Sequence, residues 1–173
     1  MTVGNIATAA GKEPGSERLT GFATVERQPV TAELIVEHAS IQPGGKTRIG
    51  VHFEIENGWH IYAKDPGEAG LPTKITWSAP AGVSFGELMW PTPERFLDPG
   101  DIHTSGYTGA VVLSSDLSVG AVNEQTLPIR ANVKWLACKD VCIPGSADLE
   151  LTLPVSPNPP AASTHAELFD RTN

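Results

Sequence analysis

Alternation with a period of two dominates the middle of this chain, and it comes in short runs. Over residues 46–56, Ile49, Val51, Phe53 and Ile55 alternate with Arg48, Gly50, His52 and Glu54, the pattern of a strand with one buried face. Similar runs occupy residues 32–38, 59–63, 73–78, 83–88, 110–117, 127–137 and 149–155. Between them fall Pro43-Gly44-Gly45, Asn57-Gly58, Asp65-Pro66-Gly67 and Ala81-Gly82, residues that favour turns. No segment carries the sustained helical spacing that βαβ units require, so antiparallel pairing is expected throughout. The fold class that follows is all-β: an immunoglobulin-like antiparallel β-sandwich first, a jelly roll second.

With 173 residues and 40% hydrophobic content the chain suits one core. Residues 1–29, rich in Gly, Ala, Glu, Ser and Thr without apolar spacing, are expected to form a flexible lead-in to a folded domain over residues 30–155. Residues 156–173 open with Ser156-Pro157-Asn158-Pro159-Pro160 and are expected to be a Pro-rich linker or C-terminal tail. The longest irregular stretch, residues 89–108, is expected to be a long lid loop, because loops of that length are commonly functional. No stretch approaches the roughly 20 apolar residues of a spanning helix, so no direct membrane insertion by this chain is expected. Residues 1–10 show neither the basic start nor the apolar centre of a signal peptide. A net charge of −8 without a basic cluster argues against nucleic acid and anionic lipid as partners.

Cys138 and Cys142 are the two cysteines, separated by three residues at the end of an alternating run. A disulfide between them would remove little chain entropy from the unfolded state, on the order of 2 kcal/mol for so small a ring, which suits switching better than stapling. Thiol exchange needs one thiolate to attack and a second thiol near enough to resolve the intermediate, and short spacing supplies both. Val133, Trp135 and Ala137 share one strand face while Lys134, Leu136 and Cys138 share the other. The pair is expected at a turn or hairpin end, with Pro144-Gly145 interrupting regular pairing just beyond it. Lys139 favours a thiolate and Asp140 opposes it, which leaves the order of attack open. His60 and Tyr62, two apart on one strand face, are candidate pocket residues, although a strand histidine is ordinarily a surface or hydrogen-bonded residue. Glu94 and Arg95 read as solvated loop charges. Trp59, Trp77, Trp90 and Trp135 read as core or core-end residues.

Two other classes compete. Both cysteines with His38, His52, His60 or His103 have the ligand types of a Cu(I) or zinc module, but no second cluster at fixed spacing accompanies them. A non-catalytic interaction domain is the other, and it makes the cysteines dispensable. Phosphate-binding loops, nucleophile elbows and paired-histidine zinc motifs do not occur.

The succession Gly58-Trp59-His60-Ile61-Tyr62, Gly70-Leu71-Pro72-Thr73, Trp90-Pro91-Thr92-Pro93-Glu94-Arg95-Phe96, Gly106-Tyr107-Thr108-Gly109, Trp135-Leu136-Ala137-Cys138 and Cys142-Ile143-Pro144-Gly145 resembles the N-terminal periplasmic domain of DsbD-type thiol:disulfide interchange proteins, in particular the ScsB-like branch. The resemblance covers about residues 30–155. It implies an immunoglobulin-like protein-disulfide reductase domain in the bacterial periplasm, part of an inner-membrane protein and needing no cofactor. In this pattern electrons arrive from a transmembrane domain by way of a thioredoxin-like domain of the same or an associated protein, and leave to periplasmic thioredoxin-fold proteins. Cys138 and Cys142 match the family's exchanging pair, residues 89–108 its shielding cap with Phe96 as the cap aromatic, and Cys142 its partner-facing sulfur. The spacing departs from the pattern, being shorter than in the best-known members.

Overall fold

A computed structural model describes residues 28–171, so the expected lead-in lies, apart from its last two residues, outside the described residues. Ten strands and one short helix follow: β1 (Val30–Val36), β2 (Lys46–Ile55), β3 (Ile61–Gly67), β4 (Lys74–Ser78), β5 (Val83–Phe85), β6 (Glu94–Asp98), β7 (Ile102–Tyr107), β8 (Ala110–Val119), β9 (Thr126–Cys138), β10 (Cys142–Pro154) and α1 (Ala166–Arg171). A four-stranded sheet in the order β1-β2-β8-β5 packs over a three-stranded sheet in the order β10-β9-β4, and every pairing is antiparallel. This is the immunoglobulin-like sandwich anticipated from the alternation. A second three-stranded sheet, β3-β7-β6, is added at one end.

The core follows directly from the alternating runs. Ile49, Val51, Phe53 and Ile55 of β2 are all buried, and Val51 lies opposite Leu113 of β8. Ala131, Val133, Trp135 and Ala137 of β9 meet them from the other sheet. The Phe53 and Trp135 rings pack edge to face, centroids 5.8 Å apart, each burial stabilising the fold by roughly 1.5–3 kcal/mol. A second cluster around Ile41, Leu117, Leu127, Ile129 and Leu153 fills the opposite end of the sandwich. Among the described residues no helix is long and apolar enough to cross a membrane.

Three sequence expectations change. Pro144-Gly145 does not interrupt β10, since Pro144 pairs with Leu136 and Gly145 with Trp135. As an edge strand, β10 tolerates the absence of the N–H that proline lacks. The glycine leaves room for the Trp135 indole, which any Cβ at position 145 would strike. Residues 89–108 are not one irregular loop either: β6 and β7 form a hairpin within them. Its turn is Pro99-Gly100-Asp101, with φ of 87° at Gly100 and 59° at Asp101.

Finally, the segment expected to be a linker or tail runs back along residues 36–41, at and just beyond the end of β1. Ser156 N donates to Ile41 O at 2.9 Å, Ala39 N to Ala161 O at 2.9 Å, and the Ser163 hydroxyl to the Val36 carbonyl. Phe169 of α1 is buried against Ile35 and Val112 on the outer face of the larger sheet. Arg48 holds Glu37 at 2.7 Å and Asp170 at 3.1 Å, its guanidinium 5.5 Å from the Phe169 ring centroid.

Candidate functional site

Cys138 closes β9 and Cys142 opens β10, so the two form the last rung of a long hairpin joined by Lys139-Asp140-Val141. Lys139 N donates to Val141 O at 2.9 Å and tightens that turn. Residues directly opposed on antiparallel strands place their side chains on one face. The two sulfurs therefore meet, and they are joined in a disulfide with Cα atoms 4.1 Å apart. The ladder and not the short ring holds them in place.

On the far side of Cys138 the chain entering β3 adds a further partner. His60 N donates to Cys138 O at 3.1 Å and Cys138 N donates to His60 O at 2.9 Å, an isolated antiparallel bridge. Cys142, Cys138 and His60 thus stand in one row on one face. Flanked on both sides, Cys138 is only 3% exposed, whereas Cys142 at the edge is exposed.

The row floors a pocket of about 300 Å³, walled by Tyr62, Gly70, Leu136 and, from the β6–β7 hairpin, Asp98, Pro99 and Ile102. Phe96 meets the site through His60, ring centroids 4.6 Å apart, and otherwise borders a neighbouring cleft with Asp65, Arg95 and His103. His60 Nε2 and the Tyr62 hydroxyl lie 3.1 Å apart and share a hydrogen bond. Burial pushes the His60 pKa below its ordinary value, against an upward pull from Asp98 and Glu94. Burial, with Asp98 adding to it, pushes the Tyr62 pKa up. Tyr62 is fixed in turn by its close approach to Gly70, where φ is +90° and an added Cβ would lie 2.6 Å from the ring.

The hairpin has its own anchors. Thr104 Oγ1 donates to Asp98 at 3.0 Å, Thr108 N donates to Glu94 at 3.1 Å, and His103 N donates to Glu68 at 3.0 Å. Glu94, read from sequence as a solvated charge, thereby ties down the base of β6. At that base the Tyr107 hydroxyl donates to Pro91 O at 2.7 Å, and burial pushes its pKa up to about 12, which keeps it a donor.

Of the residues singled out from sequence, Cys138, Cys142, His60 and Tyr62 come together and Phe96 touches the group through His60. Leu136, Asp98, Pro99 and Ile102 were missed as pocket residues. The Pro99-Gly100 turn signal was the available clue to the last three. Of the histidines offered as metal ligands, His38 Nδ1 bonds Thr47 Oγ1 at 2.8 Å and His52 lies on β2 opposite Val112, whereas His60 stands beside the two cysteines, whose sulfurs are bonded to each other. Among the described residues no three His, Cys, Asp or Glu side chains are grouped for a metal ion.

Comparison with known proteins places this geometry. The family of the thiol:disulfide interchange protein DsbD, N-terminal domain, matches residues 27–154. The N-terminal periplasmic domain of ScsB from Proteus mirabilis superposes with a TM-score of 0.58 at 25% identity, covering 88% of this chain and 56% of that one. This chain therefore spans little more than half the length of that relative. The DsbD N-terminal domain of Neisseria meningitidis in its reduced form gives a TM-score of 0.41 at 19% identity, covering 75% of this chain and 89% of that one. No curated protein sequence matches. The match spans the whole sandwich, the hairpin beside the pocket and both bonded cysteines, and the chain belongs to the DsbD N-terminal family of thiol:disulfide interchange domains.

Proposed function

We propose that this domain is a relay in the bacterial periplasm, attached to or associated with an inner-membrane reductase. Thioredoxin-like and transmembrane domains of the same or an associated protein reduce the Cys138–Cys142 disulfide, and the reduced pair passes two electrons to thioredoxin-fold clients. The supporting observation is the asymmetry of the pair: Cys142 is exposed and Cys138 is 3% exposed. The accessible sulfur is the one a client can reach. Cys142 as thiolate attacks the client disulfide, releasing one client sulfur and forming a mixed disulfide; Cys138 then attacks Cys142 and releases the other. The electrons of this exchange pass through the two sulfurs alone. The β6–β7 hairpin acts as a lid over the pair, limiting its reaction with oxidants until a client displaces it.

Two measurements test this. Equilibrated in glutathione buffers, the pair should show a reduction potential of about −180 to −270 mV, the range of exchanging thioredoxin-like pairs. A value below about −300 mV marks a structural clip and removes the relay. With a periplasmic extract, Cys138→Ala should accumulate mixed disulfides with thioredoxin-fold proteins through Cys142. Accumulation by Cys142→Ala alone reverses the roles.

A further inference from the structure

The row formed by Cys142, Cys138 and His60 sets His60 directly opposite Cys138, the less accessible cysteine, in one pocket. Opposed residues on antiparallel strands hold their Cβ atoms about 4.5–5.5 Å apart on one face. The two backbone hydrogen bonds between His60 and Cys138 fix that opposition. His60 also has little freedom to turn away. Phe96 packs against its ring at a 32° tilt, centroids 4.6 Å apart, and Tyr62 meets it edge to face at 5.0 Å. Because Nε2 is engaged by the Tyr62 hydroxyl at 3.1 Å, Nδ1 is the nitrogen left for a further partner. The exposed Cys142 can lose its proton to water, whereas Cys138 lies at the bottom of the pocket.

We propose that His60 is the proton acceptor for the resolving thiol of Cys138, with Nε2–H donating to the Tyr62 oxygen and Nδ1 receiving the proton. The assignment rests on the relay reading above, in which Cys142 makes the first attack. In the resolving step Nδ1 takes the Cys138 proton, and the sulfur's freed electron pair forms the Cys138–Cys142 bond. The bond between Cys142 and the client sulfur breaks, and its electron pair leaves on the client as a thiolate. The imidazolium then returns the proton to that departing sulfur. Over both steps two domain thiols are oxidised to a disulfide and one client disulfide is reduced to two thiols.

The surroundings suit a ring that begins neutral. Tyr62 faces it from β3, Glu94 and Asp98 from β6, Ile102 from β7, and Lys139 and Asp140 from the turn between the cysteines. Asp65 and His103 lie in the cleft bordered by Phe96. Burial keeps the ring unprotonated before the step, while the two β6 carboxylates favour the cation once it forms.

The reduced chain, mixed with dithiobis(nitrobenzoic acid), tests the assignment by stopped flow. The first thionitrobenzoate released reports attack on the reagent, and the second reports ring closure by the other cysteine. Cys138→Ala should stop after the first release with a stable adduct on Cys142. An adduct that persists only in Cys142→Ala overturns the roles of the two cysteines and the assignment of His60 with them. With the roles intact, the second release in the unsubstituted chain should rise with pH through an inflection well below the roughly 8.5 of a free thiol. In His60→Phe and in His60→Gln that inflection should vanish, and near pH 7 the second release should slow at least about a hundredfold relative to the first, the low end for general base catalysis. Unchanged rates, or a slowing that keeps the inflection in either variant that folds, overturns the proposal.

Discussion

Phe96 is half-buried with its ring centroid 4.6 Å from that of His60, so it packs on the imidazole and does not line the pocket that holds the sulfurs. Replacing it with Ala should still speed alkylation of the reduced cysteines, because the imidazole it packs against can then move off Cys138. The unfolding transition should change little. Mass-counted alkylation beside a urea titration separates the two effects, and an unchanged alkylation rate removes Phe96 from any shielding role. His60 has its own signature. Its folded pKa lies below the ordinary 6.5, so the unfolded chain binds the proton first. The stabilisation from keeping the ring neutral is complete above about pH 6.5 and is lost as pH falls through the folded pKa. Urea midpoints measured from pH 7.5 downward should therefore fall more steeply for the unsubstituted chain than for His60→Phe. Parallel curves would show that the ring is not desolvated. From sequence His60 could be placed on the same face as Tyr62 but not next to a cysteine about eighty residues away, since strand order is a tertiary property.

At the scale of elements, legibility followed burial. Strand β2 announces itself because its Ile49, Val51, Phe53 and Ile55 all enter the core. The β6–β7 hairpin does not: Glu94, Arg95 and Leu97 are exposed while Phe96 and Asp98 are only half-buried, so a strand at the edge of a pocket carries little period-two signal. The first half of β10 was hidden for a related reason. Its inward position 145 is a glycine whose missing side chain is replaced by the indole of Trp135 on the neighbouring strand, so the hydrophobicity is written on β9. The C-terminal segment was masked by its prolines, although Phe169 is the residue that fastens it. Phe169→Ala should cost about 3–5 kcal/mol by chemical denaturation if α1 is part of the cooperative fold. A loss under about 1 kcal/mol would show that the segment detaches at little cost.

Across the whole molecule, two core clusters span the sandwich from end to end while the disulfide ties nothing across it. Reduction should thus destabilise the domain by no more than about 2 kcal/mol, the chain-entropy value for so small a ring. For a domain of this size that lowers Tm by roughly 4–8 °C. Calorimetry with and without reductant checks this, and a drop beyond about 15 °C would make the bond a structural staple. The thirteen-residue partnership of β9 with β10 holds Cys138 and Cys142 directly opposite one another. Each sulfur consequently meets the other at an effective concentration far above any diffusible thiol, since fixed intramolecular partners reach about 10⁵ M or more. In the relay proposed above, a client captured on Cys142 is released before glutathione or a second client can intercept it, and its covalent complexes with this domain are brief encounters timed from inside.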